Sequence, residues 1–171
     1  QIAGSEPGNA WGQGKDVPLI AMAHGIPYVA TATVADLRDL ERKVEKAMSI
    51  HGARYIHIFV PCPLGWGAPS GKTVEIARLA AETGLFPVFE AEYGEVTHAR
   101  KIRRLRPVED YLKMQKRFAH LFGKKGDPAT VARIQAVADR NIERFGLLDG
   151  EEDKEMIIPV PAQADARTQA R

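Results

Sequence analysis

The sequence holds a single cysteine, Cys62. No internal disulfide can form, and any metal bound through that thiol must take its other ligands from elsewhere. A run of about 18 apolar residues that could cross a bilayer is missing. The opening residues, QIAGSEPGNAWGQGKD, lack the basic-then-apolar order of a secretory signal. These absences predict a cytoplasmic protein with no membrane partner. An initiator methionine is also lacking, and the Gln1 start predicts a segment of a longer polypeptide. No Ser/His/Asp arrangement is present, so no residue is assigned a catalytic role.

What is there is enough for a core. The chain has 171 residues, of which 44% are hydrophobic, the size and composition of one α/β unit or the larger part of one. Asp16 is placed to cap a short apolar helix, VPLIAMAHG, with Pro18 in its first turn and Gly25 after its end. YVATAT, from Tyr28 to Thr33, reads as a strand by its β-branched and aromatic content. ADLRDLERKVEKAMSIHG puts Leu37, Leu40, Val44 and Ala47 on one helical face and charges on the other. RYIHIFV, from Arg54 to Val60, is nearly continuous in apolar residues, as a strand covered on both faces would be. TVEIARLAAETG reads as a helix, LFPVFEAEY as a third strand, and PVEDYLKMQKRFAHLF and DPATVARIQAVADRNIERFG as two further helices. In the last, Asp127 caps, Pro128 leads, and Val131, Ile134, Ala138, Ile142 and Phe145 form a stripe. The alternation of strand and helix predicts crossover units in a doubly wound, mainly parallel sheet with an added helical arm.

Such sheets bind ligands where strands end. The loop after Val60, VPCPLGWGAPSGKT, therefore stands in the right place for chemistry. A phosphate loop needs four residues between its first glycine and Gly-Lys-Thr, so that consecutive N–H groups curl round a phosphate. Position 66 is Trp66, with Gly65 one residue too early and Gly67 one too late, so the spacing fails. Cys62 lies between Pro61 and Pro63, which stiffen the backbone and remove two donors. Two readings stay open: a small buried hydrophobe at a strand end, or a thiolate given to an iron–sulfur cluster built mainly by another part of the chain.

Glu90 and Glu92 share a face of the third strand and could meet a substrate together, although an exposed strand end accounts for them more simply, with no His or Lys near in sequence. His24 is placed to cap a helix end, and His57, alternating with Tyr55 and Phe59, to pack. From Arg100 to Lys125 ten basic residues stand against Glu109 and Asp110, leaving +8 in a chain whose net charge is +2. A non-catalytic nucleotide- or RNA-binding module using 100–125 is thus the alternative reading. Tyr111, Phe118 and Phe122 are spaced as a helix core would space them rather than as a stacking platform, so a solvated face or an acidic partner subunit accounts for the charge with less machinery.

AHGIPYVATA, VPCPLGWG, IARLAAETGLFPVFEAEYGE and PVEDYLKMQKRFAHLF, in that order, resemble the C-terminal part of the β subunit of 2-oxoacid:ferredoxin oxidoreductases of the pyruvate:ferredoxin oxidoreductase type. The resemblance runs from Gln1 to about Phe122. It implies the C-terminal portion of a thiamine diphosphate-binding domain over 1–99; charge and composition add a basic helical arm over 100–146 and a flexible acidic and polar tail over 147–171. It further implies that Gln1 closes the family's Asn-Thr-Gly-x-Gln cofactor segment and that Cys62 matches a late cysteine ligand of a [4Fe–4S] cluster. The thiamine diphosphate and Mg2+ motif and three other cysteines would lie upstream. The implied reaction is oxidative decarboxylation of a 2-oxo acid, such as pyruvate or phenylglyoxylate, to an acyl-coenzyme A. Electrons would pass to ferredoxin or an NAD-reducing subunit in a complex with α-, γ- and δ-type subunits.

Overall fold

A computed structural model describes residues 15–124 and 126–148. Asp16 caps α1 (Val17–Ala23) through its carboxylate, which accepts from the Leu19 N–H at 3.3 Å. The chain then forms β1 (Tyr28–Thr33), α2 (Leu37–Ser49), β2 (Arg54–Phe59), the four-residue α3 (Pro63–Trp66) and α4 (Thr73–Glu82). It continues as β3 (Phe89–Glu92), β4 (Glu95–Ala99), α5 (Val108–Lys113) and α6 (Pro128–Arg144). No helix among the described residues is long and apolar enough to cross a membrane.

The α/β class holds, but the sheet is mixed rather than mainly parallel. Its order is β2-β1-β3-β4, with β1 parallel to β2 and the other two pairings antiparallel. The β3–β4 pairing follows from the turn after Glu92. Tyr93 and Gly94 both have positive φ (49° and 91°), as a two-residue type I′ hairpin requires, so β3 runs straight back as β4. An exposed tyrosine is an unusual residue for the first of these positions, which hides the hairpin from a sequence reading.

β1 is the buried spine, with every residue from Tyr28 to Thr33 inaccessible. Tyr28 and Ala30 face α2, packing with Ala47, Ile50 and Ile56. Val29 faces α1, in a second cluster with Met22, Phe89, Phe145 and Leu147. β2, expected to be covered on both faces, is an edge strand with Ile58 41% exposed. Beyond it Phe59 joins the largest apolar cluster, where α4, α5 and α6 pack through Ile76, Leu79, Tyr111, Leu112, Ile134 and Ala138. α4 and α6 approach closely because Gly84 (φ +76°) carries no side chain; a Cβ there would lie 2.6 Å from Ile142 Cγ1.

Two helices differ from their expected form. PVEDYLKMQKRFAHLF is α5 followed by a 3-10 turn over Lys116–Leu121, broken at Gln115, whose extended backbone leaves its side-chain Nε2 to donate to the Tyr111 carbonyl at 2.8 Å. On α2 the expected apolar stripe is split: Ala47 is buried and Leu40 half-buried, but Leu37 and Val44 are 66% and 42% exposed, and Asp39 and Lys43 are buried in their place. Leu147 is buried, and the rest of the expected 147–171 tail beyond Leu148 lies outside the described residues.

Candidate functional site

β1 and β2 run parallel, so the loop carrying Cys62 emerges at the carboxyl end of both. Pro61 is buried and anchors the loop's start. Cys62 is extended (φ −103°, ψ 100°) and occupies the cap position of α3, with Pro63 as the first helical residue and the Cys62 carbonyl accepting from the Trp66 N–H at 3.0 Å. The Trp66 ring packs against Phe59, with centroids 5.8 Å apart, and the Arg117 guanidinium lies over the Trp66 ring, 3.9 Å from its centroid. Gly67 then turns the chain in the left-handed conformation (φ +63°) against the Lys116 side chain.

The loop is thus held at both ends, and its thiol is exposed. Cys62 is exposed among the described residues rather than the buried hydrophobe of the first reading, while Pro61 and Trp66 carry the packing. Gly65 lies beside Cys62, where a Cβ would sit 3.4 Å from Sγ. Among the described residues no three His, Cys, Asp or Glu side chains are grouped to hold a metal. Gln1, the other expected cofactor contact, lies outside the described residues.

The phosphate-loop geometry is also absent. Ser70–Lys72 is a 3-10 turn, and Lys72 pairs with Glu75 at 2.6 Å, so its charge is already engaged.

Glu90 and Glu92 are not a bare strand end. Glu90 is buried, accepting from the Tyr28 hydroxyl at 2.9 Å and from Lys46 at 3.0 Å, while Lys46 also reaches Glu92 at 2.9 Å. Burial pushes the Glu90 carboxyl up, but the bonds from Lys46 and Tyr28 outweigh it and leave it below the ordinary range. Burial, helped by the Glu90 bond, holds the Tyr28 phenol well above its usual range, so it stays a donor. The Glu92 bond, partly offset by burial, raises Lys46. Beside them Lys43 is buried, donating to the Thr31 carbonyl at 2.8 Å and to Asp39 at 2.6 Å; burial lowers its ammonium despite that carboxylate. With Arg42 also paired to Asp39, three carboxylates meet three cations, and the network holds α2 to the sheet. It offers no free acid or base.

Sequence reasoning missed Lys46 because it sits 44 residues from Glu90. The available signal was the spacing of Asp39, Lys43 and Lys46 along one helical face. His24 caps α1, and His57 packs edge-on against Phe86 with its Nδ1 3.2 Å from the Tyr55 hydroxyl, both as expected. Tyr111 and Phe118 are core residues, which removes the stacking surface that the RNA-binding alternative needed.

No family model matches the chain. Known relatives do. It is 53% identical to the pyruvate synthase subunit PorB of Methanosarcina barkeri over 133 residues, 78% of this chain and 45% of that protein. Identity to PorB of Methanocaldococcus jannaschii is 47%, over 78% of this chain and 43% of the relative. The ketoisovalerate oxidoreductase subunit VorB of Pyrococcus abyssi is 47% identical over 63% of this chain and 35% of its own length. The chain spans less than half the length of these relatives. Within that span, the chain belongs to the family of PorB and VorB subunits, the β subunits of pyruvate:ferredoxin oxidoreductase-type enzymes.

Proposed function

We propose that this chain is part of the β subunit of a 2-oxoacid:ferredoxin oxidoreductase, in which Cys62 is one ligand of a [4Fe–4S] cluster. The observation that carries the reading is an exposed thiol on a loop clamped by Pro61, Trp66 and Arg117. A fixed ligand keeps a cluster's position and potential constant. The reaction is the oxidative decarboxylation of a 2-oxo acid to an acyl-coenzyme A in the cytoplasm, by a complex of several subunits. Thiamine diphosphate with Mg2+ supplies the electron sink for decarboxylation, and the cluster supplies one-electron transfer. Pyruvate and ketoisovalerate, the acids in the relatives' names, are the proposed substrate class. Phenylglyoxylate, which rested on resemblance alone, is set aside. The division into a cofactor-binding layer over 1–99, a helical part over 100–146 and a tail from 147 belongs to the same proposal.

The test is iron, acid-labile sulfide and low-temperature EPR on the anaerobically purified complex and its Cys62→Ser variant. Loss or conversion of one cluster's signal is expected. An unchanged signal and iron content would remove Cys62 from the ligand set.

A further inference from the structure

α2 packs one face on the sheet and turns the other outward. The inner face is taken: Asp39, Lys43 and Ala47 are buried, and Lys46 reaches across to Glu90 and Glu92. On the outer face Leu37, Glu41, Val44 and Met48 follow one another at steps of four, three and four residues, and all four are exposed. That spacing keeps side chains in one line and is the seam by which two helices pack together. The line runs about 16 Å, roughly three turns of helix. Three of its residues are apolar and the fourth is a carboxylate. Glu41 makes no ion pair among the described residues, and neither does Glu45, one turn further on. Like charges four residues apart repel on a helix surface, so the two carboxylates weaken α2 unless a cation lies over them. The arginines of α2 do not supply one: Arg42 pairs with Asp39, and Arg38 lines a hollow with Arg42, Arg78, Arg100, Arg103 and Arg104.

We propose that this seam docks an amphipathic helix of another subunit of the complex, which rests on the multi-subunit reading proposed for the family. That helix lays apolar side chains over Leu37, Val44 and Met48 and sets a Lys or Arg over Glu41 and Glu45. Charge decides between the occupants. A second copy of this chain fits badly: two parallel α2 helices oppose Glu41 to Glu41, and two antiparallel ones centred on the seam oppose Glu41 to Val44. Neither arrangement brings a cation to the carboxylate. Packing inside one folded domain would favour a wholly apolar seam. A single charged residue between apolar neighbours, with Arg38 and Arg42 alongside, is instead how contacts between separately folded chains fix register and partner. Covering Glu41 without a cation leaves a buried, unpaired charge, so the residue that accepts a basic helix rejects a neutral or acidic one.

The test uses the intact complex with a photoreactive benzophenone amino acid in place of Met48, the captured peptide being identified by mass spectrometry. Capture of a stretch of another subunit that carries Lys or Arg is expected. Capture of a second copy of α2, of a different part of this subunit, or of nothing overturns the proposal. A second measurement does not depend on the probe. Glu41→Lys reverses an exposed charge that makes no ion pair within the described residues, so the fold itself is spared. It should raise the dissociation constant of the docked subunit by at least about tenfold, followed by native mass spectrometry on dilution, because like charges then face each other in the contact. Unchanged dissociation overturns the proposal. A preparation that holds no other subunit removes the multi-subunit reading and the docking with it. A complete complex in which α2 captures no other subunit removes the docking alone.

Discussion

At the scale of single residues, Glu90 shows how a buried charge is kept. Its carboxylate sits beneath α2 with two donors, Tyr28 and Lys46, and its titration is displaced below the ordinary 4.5. The unfolded chain takes up that proton more readily than the folded one. The stabilisation is therefore fully present above about pH 4.5 and is lost as the pH falls through the lowered folded value. Glu90→Gln should cost about 1–3 kcal/mol at neutral pH, the value of hydrogen bonds to a charged group. Urea unfolding of the intact subunit across the acid range measures it. The variant should lose part of the acid dependence, and a profile parallel to the wild type would show that Glu90 contributes nothing to it. Neighbouring Lys46 was invisible in the sequence as its partner, because only the crossing of α2 over the sheet brings position 46 to position 90.

At the scale of elements, the Cys62 loop depends on Gly67. A Cβ there would lie 2.8 Å from Lys116 Cβ, and the left-handed backbone (φ +63°) disfavours any side chain. Gly67→Ala should therefore cost about 1–2 kcal/mol from the backbone alone, with more from moving Lys116 and its neighbour Arg117 off Trp66. Thermal unfolding reads the stability, and EPR of the assembled complex reads whether the sulfur has moved. A variant with wild-type stability and an unshifted signal would mean that the clamp is dispensable. The glycine's presence was plain in the sequence, but its reason was not. Gly67 looks like one of several glycines in a flexible turn until Lys116, 49 positions later, is found packed against it.

At the scale of the whole molecule, two surfaces are more apolar than a free domain's should be. The β2 edge ends in Ile58 (41% exposed), Val60 (56%) and Leu64 (96%), and α2 turns Leu37, Val44 and Met48 outward. An unpaired apolar edge strand is a template for association. The relatives carry more than half their length outside the matched stretch, ample chain to cover the strand edge. Residues 15–148 produced alone should self-associate, and Ile58→Lys with Val60→Lys should reduce it, as followed by light scattering. A monomeric wild-type fragment would show that the exposed edge is tolerated.

By itself the sequence determined what is local or what is counted. The caps at Asp16 and Asp127, the β1 boundaries, the α6 stripe and the failed phosphate-loop spacing all depend on neighbours within a turn or two, and each is found as expected. Its order of motifs also carried the family. The tertiary structure decided the direction of β3, the outward face of α2, the edge position of β2, the exposure of Cys62 and the gathering of six arginines in one hollow. Each of these turns on contacts between residues far apart in the chain, where packing and charge pairing override local preference.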